Sequence, residues 1–179
     1  MTHRLLRPLL FALLAMAPTA GCQGDSGGFA KGSGVGTPAP TLAGKTIDGE
    51  RVALSDFRGQ VVLVNIWATW CKPCTAELPE LARLHDELSA KGFTVLGVSV
   101  DKRQMLAKVR AMVQSFELHY PNLFDPEGAA VSSWKVAGYP TSVLIGRDGT
   151  VLWRRNGMIQ ANDPELSKQL EAALAQPSS

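Results

Sequence analysis

Two cysteines separated by two residues, in Trp70-Cys71-Lys72-Pro73-Cys74, are the groups in this chain best suited to covalent chemistry. They stand where a run of β-branched apolar residues gives way to a helical pattern, so Cys71 falls at a helix N-terminus. Unpaired backbone N–H groups and the helix dipole stabilise a thiolate there, and Lys72 adds positive charge beside it. Such surroundings lower a thiol pKa from about 8.5 toward roughly 3.5–7.5. Pro73 fits the first helical turn, where its missing N–H costs nothing. Cys74 is one turn on and within reach of a disulfide with Cys71. A pair that cycles between dithiol and disulfide must be asymmetric: Cys71, the more exposed, attacks or is attacked, and Cys74 resolves the mixed disulfide.

Two other uses of the pair are weaker. A structural disulfide between positions this close would close too small a loop to stabilise much. Half of a zinc site would need a second Cys or His pair, and the sequence supplies none at ligand spacing. The third cysteine, Cys22, lies far upstream. If it is lipidated, Cys71 and Cys74 form a closed pair with no orphan thiol. His85 and His119 each stand alone and read as solvent-exposed side chains.

The elements that must hold this pair follow from periodicity. Val61–Trp67 (VVLVNIW) reads as a strand buried on both faces. Trp67, at its end, belongs to the core. Leu78, Leu81, Ala82, Leu84 and Leu88 repeat at helical spacing until Lys91-Gly92, where glycine ends the helix. Residues 93–100 form a second buried strand. A helix is predicted over 104–116, with Met105, Val109, Met112, Val113 and Phe116 on one stripe, and a short one over 129–135. Strands over 141–145 and 150–154 flank Asp148-Gly149, a hairpin signal. Asp163-Pro164-Glu165 starts a last helix whose inner face is Leu166, Leu170 and Leu174. This order predicts an α/β domain with a central mixed sheet covered on both faces.

With 179 residues, 45% hydrophobic and 19% charged, the chain has the make-up of about one globular domain. A net charge of +2 is too small to point to nucleic acid. The front of the chain reads as an export signal over residues 1–21, with Arg4 and Arg7 ahead of the apolar run Leu9–Ala17. That run is too short to cross a hydrocarbon core of about 30 Å. Its end, Thr19-Ala20-Gly21-Cys22, resembles the bacterial lipobox, in which the cysteine is lipidated; Thr19 stands where an aliphatic residue is usual. Without residues 1–21 the chain carries 16 basic and 16 acidic residues. Residues 22–36 form a tether, and from 23 to 36 eight of fourteen residues are Gly or Ser, giving a reach of about 20 Å. Gly32, Gly34 and Gly36, and likewise Gly44-Lys45-Thr46, lack the strand–loop–helix context of a nucleotide loop and read as plain connecting chain. The folded domain is expected over 37–176.

At this point the residues resemble a family. Val64–Cys74 (VNIWATWCKPC) followed by Glu77-Leu78-Pro79, the lead-in Leu54–Gly59 (LSDFRG), and Gly138-Tyr139-Pro140-Thr141 are similar to the exported thioredoxin-like proteins of the TlpA and ResA type. The resemblance covers about residues 37–175. It implies a thioredoxin-like fold with an insertion before the hairpin, here around Gln104–Lys135. It implies that Cys71 is the nucleophile and Cys74 the resolving thiol. Pro140 matches a cis-proline facing the disulfide, Tyr139 and Trp70 flank the bound partner along with Lys72 and Pro73, and Pro79 kinks the redox helix. Asn65 stands where thioredoxin carries a buried carboxylate, and Glu77 matches an acid with a tuning or proton-transfer role; an acid serving the helix dipole is the alternative.

The function so implied is reduction of disulfides in exported proteins in the bacterial envelope, apocytochrome c among them, by a monomer tethered through lipid on Cys22, with a simply secreted, soluble periplasmic protein as the alternative. A thiol-type membrane donor recharges it, and neither cofactor nor metal is expected. Two alternatives are a thiol peroxidase of the peroxiredoxin type and a copper-binding chaperone of the same fold. The peroxidatic cysteine of peroxiredoxins sits in a Thr-x-x-Cys arrangement without the Trp-Cys-x-x-Cys pair, and the copper chaperones carry Cys-x-x-x-Cys with a distal His, one residue more between the thiols than here.

Overall fold

A computed structural model of the chain describes Met1 and residues 34–177. The export segment expected at 1–21, Cys22 and most of the tether lie outside the described residues. Two short strands, β1 (Ala43–Lys45) and β2 (Arg51–Ala53), pair as a separate antiparallel ribbon. The Gly44-Lys45-Thr46 stretch is therefore not plain connecting chain: Gly44 and Lys45 pair with Val52 and Arg51, and Thr46 bridges to Leu123. Three polar or small residues carry no periodic signal, and only the partner strand makes them a strand.

The central strand β3 (Val61–Trp67) is buried at every position. It can be, because strands satisfy its backbone on both sides. β4 (Phe93–Ser99) runs parallel to it and β6 (Thr141–Ile145) antiparallel. Alternate residues serve two cores. Val61, Leu63 and Trp67 pack with α1 (Lys72–Leu88), with Val109 of α2 (Leu106–Ser115) and with Leu166 and Leu170 of α4 (Pro164–Leu174). Val62, Val64 and Ile66 pack with Leu42, with Trp134, and with Ala130 of α3 (Ala129–Ser133). The full sheet order is β5-β4-β3-β6-β7, with β5 spanning Asn122–Phe124 and β7 spanning Val151–Asn156.

Helix α1 ends as its sequence requires. After Leu88 the chain tightens into a 3-10 turn, and Gly92 closes it in the left-handed region at φ 82°. Asp163 caps α4, its carboxylate accepting from Glu165 N at 3.1 Å and Leu166 N at 3.0 Å. Helix α2 begins at Leu106, two residues later than predicted, because a 3-10 turn over Arg103–Met105 precedes it.

The inserted region adds β5 as a parallel edge strand on β4, an element too short to show a period in sequence. Its seating depends on Gly97. Asn65, Gly97 and Asn122 lie side by side across three strands. A Cβ on Gly97 would collide with the Asn122 side-chain oxygen and lie 3.4 Å from the Trp67 indole nitrogen. Gly97→Ala is expected to lower stability by about 1–3 kcal/mol through overpacking. A urea midpoint equal to that of the unsubstituted chain would show that Asn122 moves aside freely.

Candidate active site

The site is built where β3 ends and α1 begins. Val100 N extends the ladder to Trp67 O at 3.0 Å, and the chain then turns, with Cys71 N donating to Ala68 O at 3.1 Å. Cys71 is the N-cap of α1 and keeps an extended backbone at φ −89°, ψ 104°. Its Sγ thereby faces back into the first turn and accepts from Cys74 N at 3.2 Å. The two cysteines form a disulfide with their Cα atoms 5.3 Å apart. Cys71 is 6% exposed and Cys74 fully buried, so an incoming thiol meets Cys71 first. Lys72 and Pro73 are exposed beside it.

The residue before Cys71 carries an exposed ring. Trp70 is 60% exposed, unusual for the largest apolar side chain. Its ring meets Tyr139 edge-on, with centroids 5.5 Å apart. The Tyr139–Pro140 peptide is cis. Pro140 O accepts from Gly157 N at 2.8 Å, which fastens the turn before β6 to the loop after β7.

Three residues past Cys74 on α1 lies Glu77, only 1% exposed. Its Oε1 accepts from the Asn65 amide at 2.7 Å and its Oε2 from Ile159 N at 2.7 Å. Asn65 also donates to Ser142 Oγ at 2.9 Å. Burial pushes the Glu77 carboxyl up to about 7, against the opposing pull of the Ile159 N–H, the Asn65 amide and the Arg155 charge. An acid serving the helix dipole would sit on the solvated first turn. Glu77 instead lies past that turn, among buried residues.

Three contributors escaped the sequence reading. Glu80, one turn beyond Glu77, accepts from Asn162 N at 3.0 Å and pairs with Arg83. Together the two acids hold the loop between β7 and α4 against the redox helix. Ser142 supports Asn65, its cross-strand neighbour. Asp101, two residues beyond the end of β4, accepts from both the backbone and the hydroxyl of Thr69; its signal was an acid just past a mostly apolar strand. The histidines lie elsewhere. His119 is exposed beside Asp86, but His85 is not the solvent-exposed residue expected. Its ring packs edge-on to Tyr120 with Nδ1 buried, and burial lowers its pKa. Among the described residues no three His, Cys, Asp or Glu side chains cluster as metal ligands.

The chain matches the AhpC/TSA family over residues 35–154. A thiol-disulfide oxidoreductase ResA of Bacillus cereus is 30% identical over 154 residues, covering 83% of this chain and 88% of that protein. The chain belongs to the AhpC/TSA family, as a ResA-type thiol–disulfide oxidoreductase. The thioredoxin-like protein YneN of Bacillus subtilis is 36% identical over 117 residues, 65% of this chain and 68% of that one. Among solved structures, a Chlorobium tepidum chain assigned as a thiol:disulfide interchange protein DsbE is 34% identical. It superposes with a TM-score of 0.71 over 77% of this chain and 96% of its own. The thioredoxin-like fold of this ResA-type chain is thus shared with relatives named for the same chemistry.

The raised Glu77 pKa carries a stability consequence. Between about 4.5 and 7 the folded chain holds this proton while the unfolded chain has released it. Stability from this group is therefore greatest below pH 4.5 and falls as pH rises to 7, by about 3 kcal/mol in all. Glu77→Gln should remove that decline, seen as a flatter difference in unfolding free energy between pH 4.5 and 7.5 by denaturant titration of the oxidised protein. Parallel profiles for the two proteins would mean that Glu77 ionises normally.

Proposed function

We propose that this chain reduces disulfides of exported proteins at the bacterial envelope, held to a membrane through lipid on Cys22. The observation that carries this reading is the asymmetric Cys71–Cys74 disulfide at the head of α1, Cys71 retaining slight exposure and Cys74 none. In the reduced chain the Cys71 thiolate attacks a substrate disulfide, forming a mixed disulfide and releasing one substrate thiolate. The Cys74 thiol passes its proton to the Glu77 carboxylate, and the resulting thiolate attacks Cys71 Sγ. The second substrate sulfur leaves, Cys71 and Cys74 are joined, and two electrons have passed to the substrate. A thiol-type donor at the membrane restores the dithiol.

Trp70 and Tyr139 supply the apolar rim on which an extended substrate segment lies, with Lys72, Pro73 and Pro140 along its path. Apocytochrome c, whose haem-attaching cysteines must be reduced, is the substrate class that the family resemblance favours. A carboxyl poised near pH 7 suits Glu77 to proton exchange with Cys74, whereas an amide at Asn65 has no proton-accepting carboxylate to offer.

Reduction of a disulfide-bonded test protein, followed with dithiothreitol as the electron source, is the direct assay. Cys71→Ser should abolish turnover, and Cys74→Ser should accumulate the mixed disulfide on Cys71. Glu77→Gln should slow resolution near neutral pH; unchanged thiol pKa values and exchange rates would remove its proton-transfer role. A reduction potential well below about −220 mV fits a reductant, while one near −120 mV would mark a disulfide donor and overturn the proposed direction.

A further inference from the structure

The turn that carries Trp70 and Cys71 has few fastenings of its own. Apart from the contact between Cys71 N and Ala68 O, the side chain that hydrogen-bonds it from outside, among the described residues, is Asp101. This carboxylate is fully buried, a costly place for a charge unless donors meet its lone pairs. They do. Oδ2 accepts from Thr69 N at 2.9 Å and from Ser99 Oγ at 3.0 Å, while Oδ1 accepts from Thr69 Oγ1 at 2.7 Å. Thr69 is thus held by main chain and side chain at once, two residues before the reactive cysteine. Hydrogen bonds to an ionised acceptor are roughly twice as strong as neutral ones.

We propose that Asp101 is a positioning residue of the redox site: through Thr69 its carboxylate holds the turn that presents Cys71 and Trp70 at the head of α1. The clamp matters most after reduction. In the oxidised chain the disulfide itself ties Cys71 to α1. Once that bond is cut, the Asp101–Thr69 grip keeps Cys71 Sγ over the backbone N–H groups that stabilise its thiolate. The inference rests on Cys71 being the attacking thiol.

Position and charge predict opposite effects. A loosened turn takes Cys71 Sγ away from the helix head and raises its pKa. Removal of a nearby negative charge, acting alone, lowers it. Asp101→Asn separates the two, since its amide oxygen can still accept from Thr69 N and Ser99 Oγ while its N–H group donates to Thr69 Oγ1.

The test is alkylation of the full chain by iodoacetamide across pH, after reduction with dithiothreitol, with the modified cysteine mapped by mass spectrometry. Asp101→Ala should raise the apparent pKa of Cys71 and cut its alkylation about tenfold at pH values below that pKa. Asp101→Asn should stay within about twofold of the unsubstituted chain, a far smaller displacement of the profile. Thr69→Val, which keeps the carboxylate and the backbone contact, should move the profile in the same direction as Asp101→Ala by less, and Thr69→Ser should restore it. Equal lowering of the Cys71 pKa in both Asp101 variants would overturn the inference in favour of a charge effect. If Asp101→Ala does not fold, an unmoved pH profile in Thr69→Val overturns it as well. Alkylation of the unsubstituted chain first at Cys74 would defeat the attacking role of Cys71 and this inference together. Alkylation first at Cys71, with the variants unmoved, would defeat this inference alone.

Discussion

The redox site depends on the chain leaving a strand buried on both faces and entering a helix within a few residues, with Cys71 still extended when α1 begins. That extended cap points Cys71 Sγ back at the first helical turn, where Cys74 N donates to it. Had Cys71 taken helical angles, its side chain would project along the helix surface instead of across its end. From this one conformation follow the pairing of the cysteines, the unequal exposure of their sulfurs and the supply of N–H groups for a thiolate. It also leaves Trp70, the residue before, standing into solvent.

A turn so short must be held from its surroundings, and the elements around it are themselves tied together. Asp101 behind β4 holds Thr69. Asn65, the one polar residue on an otherwise apolar face of β3, reaches both Glu77 on α1 and Ser142 on β6. Glu77 and Glu80 hold two backbone N–H groups of the loop after β7, and Gly157 in that loop holds Pro140 O. The helix head, the loop before β6 and the loop after β7 therefore form one connected network. A buried carboxylate within it costs free energy unless donors satisfy it. Glu77 is incompletely compensated, which is why its proton is held to about pH 7. Structural fastening and proton chemistry thus reside in the same side chain.

Of the two thiol chemistries considered from the sequence, disulfide exchange and peroxide reduction, the local architecture suits the first. A peroxidatic cysteine acts on a small oxidant, whereas here the accessible sulfur lies beside an exposed indole and a tyrosine ring. Those rings offer apolar area suited to a polypeptide. Relatives named as a thiol–disulfide oxidoreductase and a thiol:disulfide interchange protein stand on the same side of this division.

Much was legible in the sequence because its signals are local. The continuous apolar run of β3, the helical spacing after Cys74, the closing glycine at Gly92 and the cap at Asp163 depend on neighbours a few residues away. The paired cysteines at the strand–helix junction are equally local, so the chemistry could be read before the fold was known. The three-residue strands β1, β2 and β5 were not legible, because each is a strand only by virtue of a partner brought from elsewhere in the chain. Gly97, His85 and Asp101 acquired their roles the same way. What the sequence determined by itself was the reactive pair, the helix that carries it and the order of the main strands. Tertiary structure alone decided how far Glu77 is buried, which groups hold the turn at Thr69 and how Trp70 meets Tyr139. Burial and long-range hydrogen bonding are properties of residues that meet only when the chain is folded.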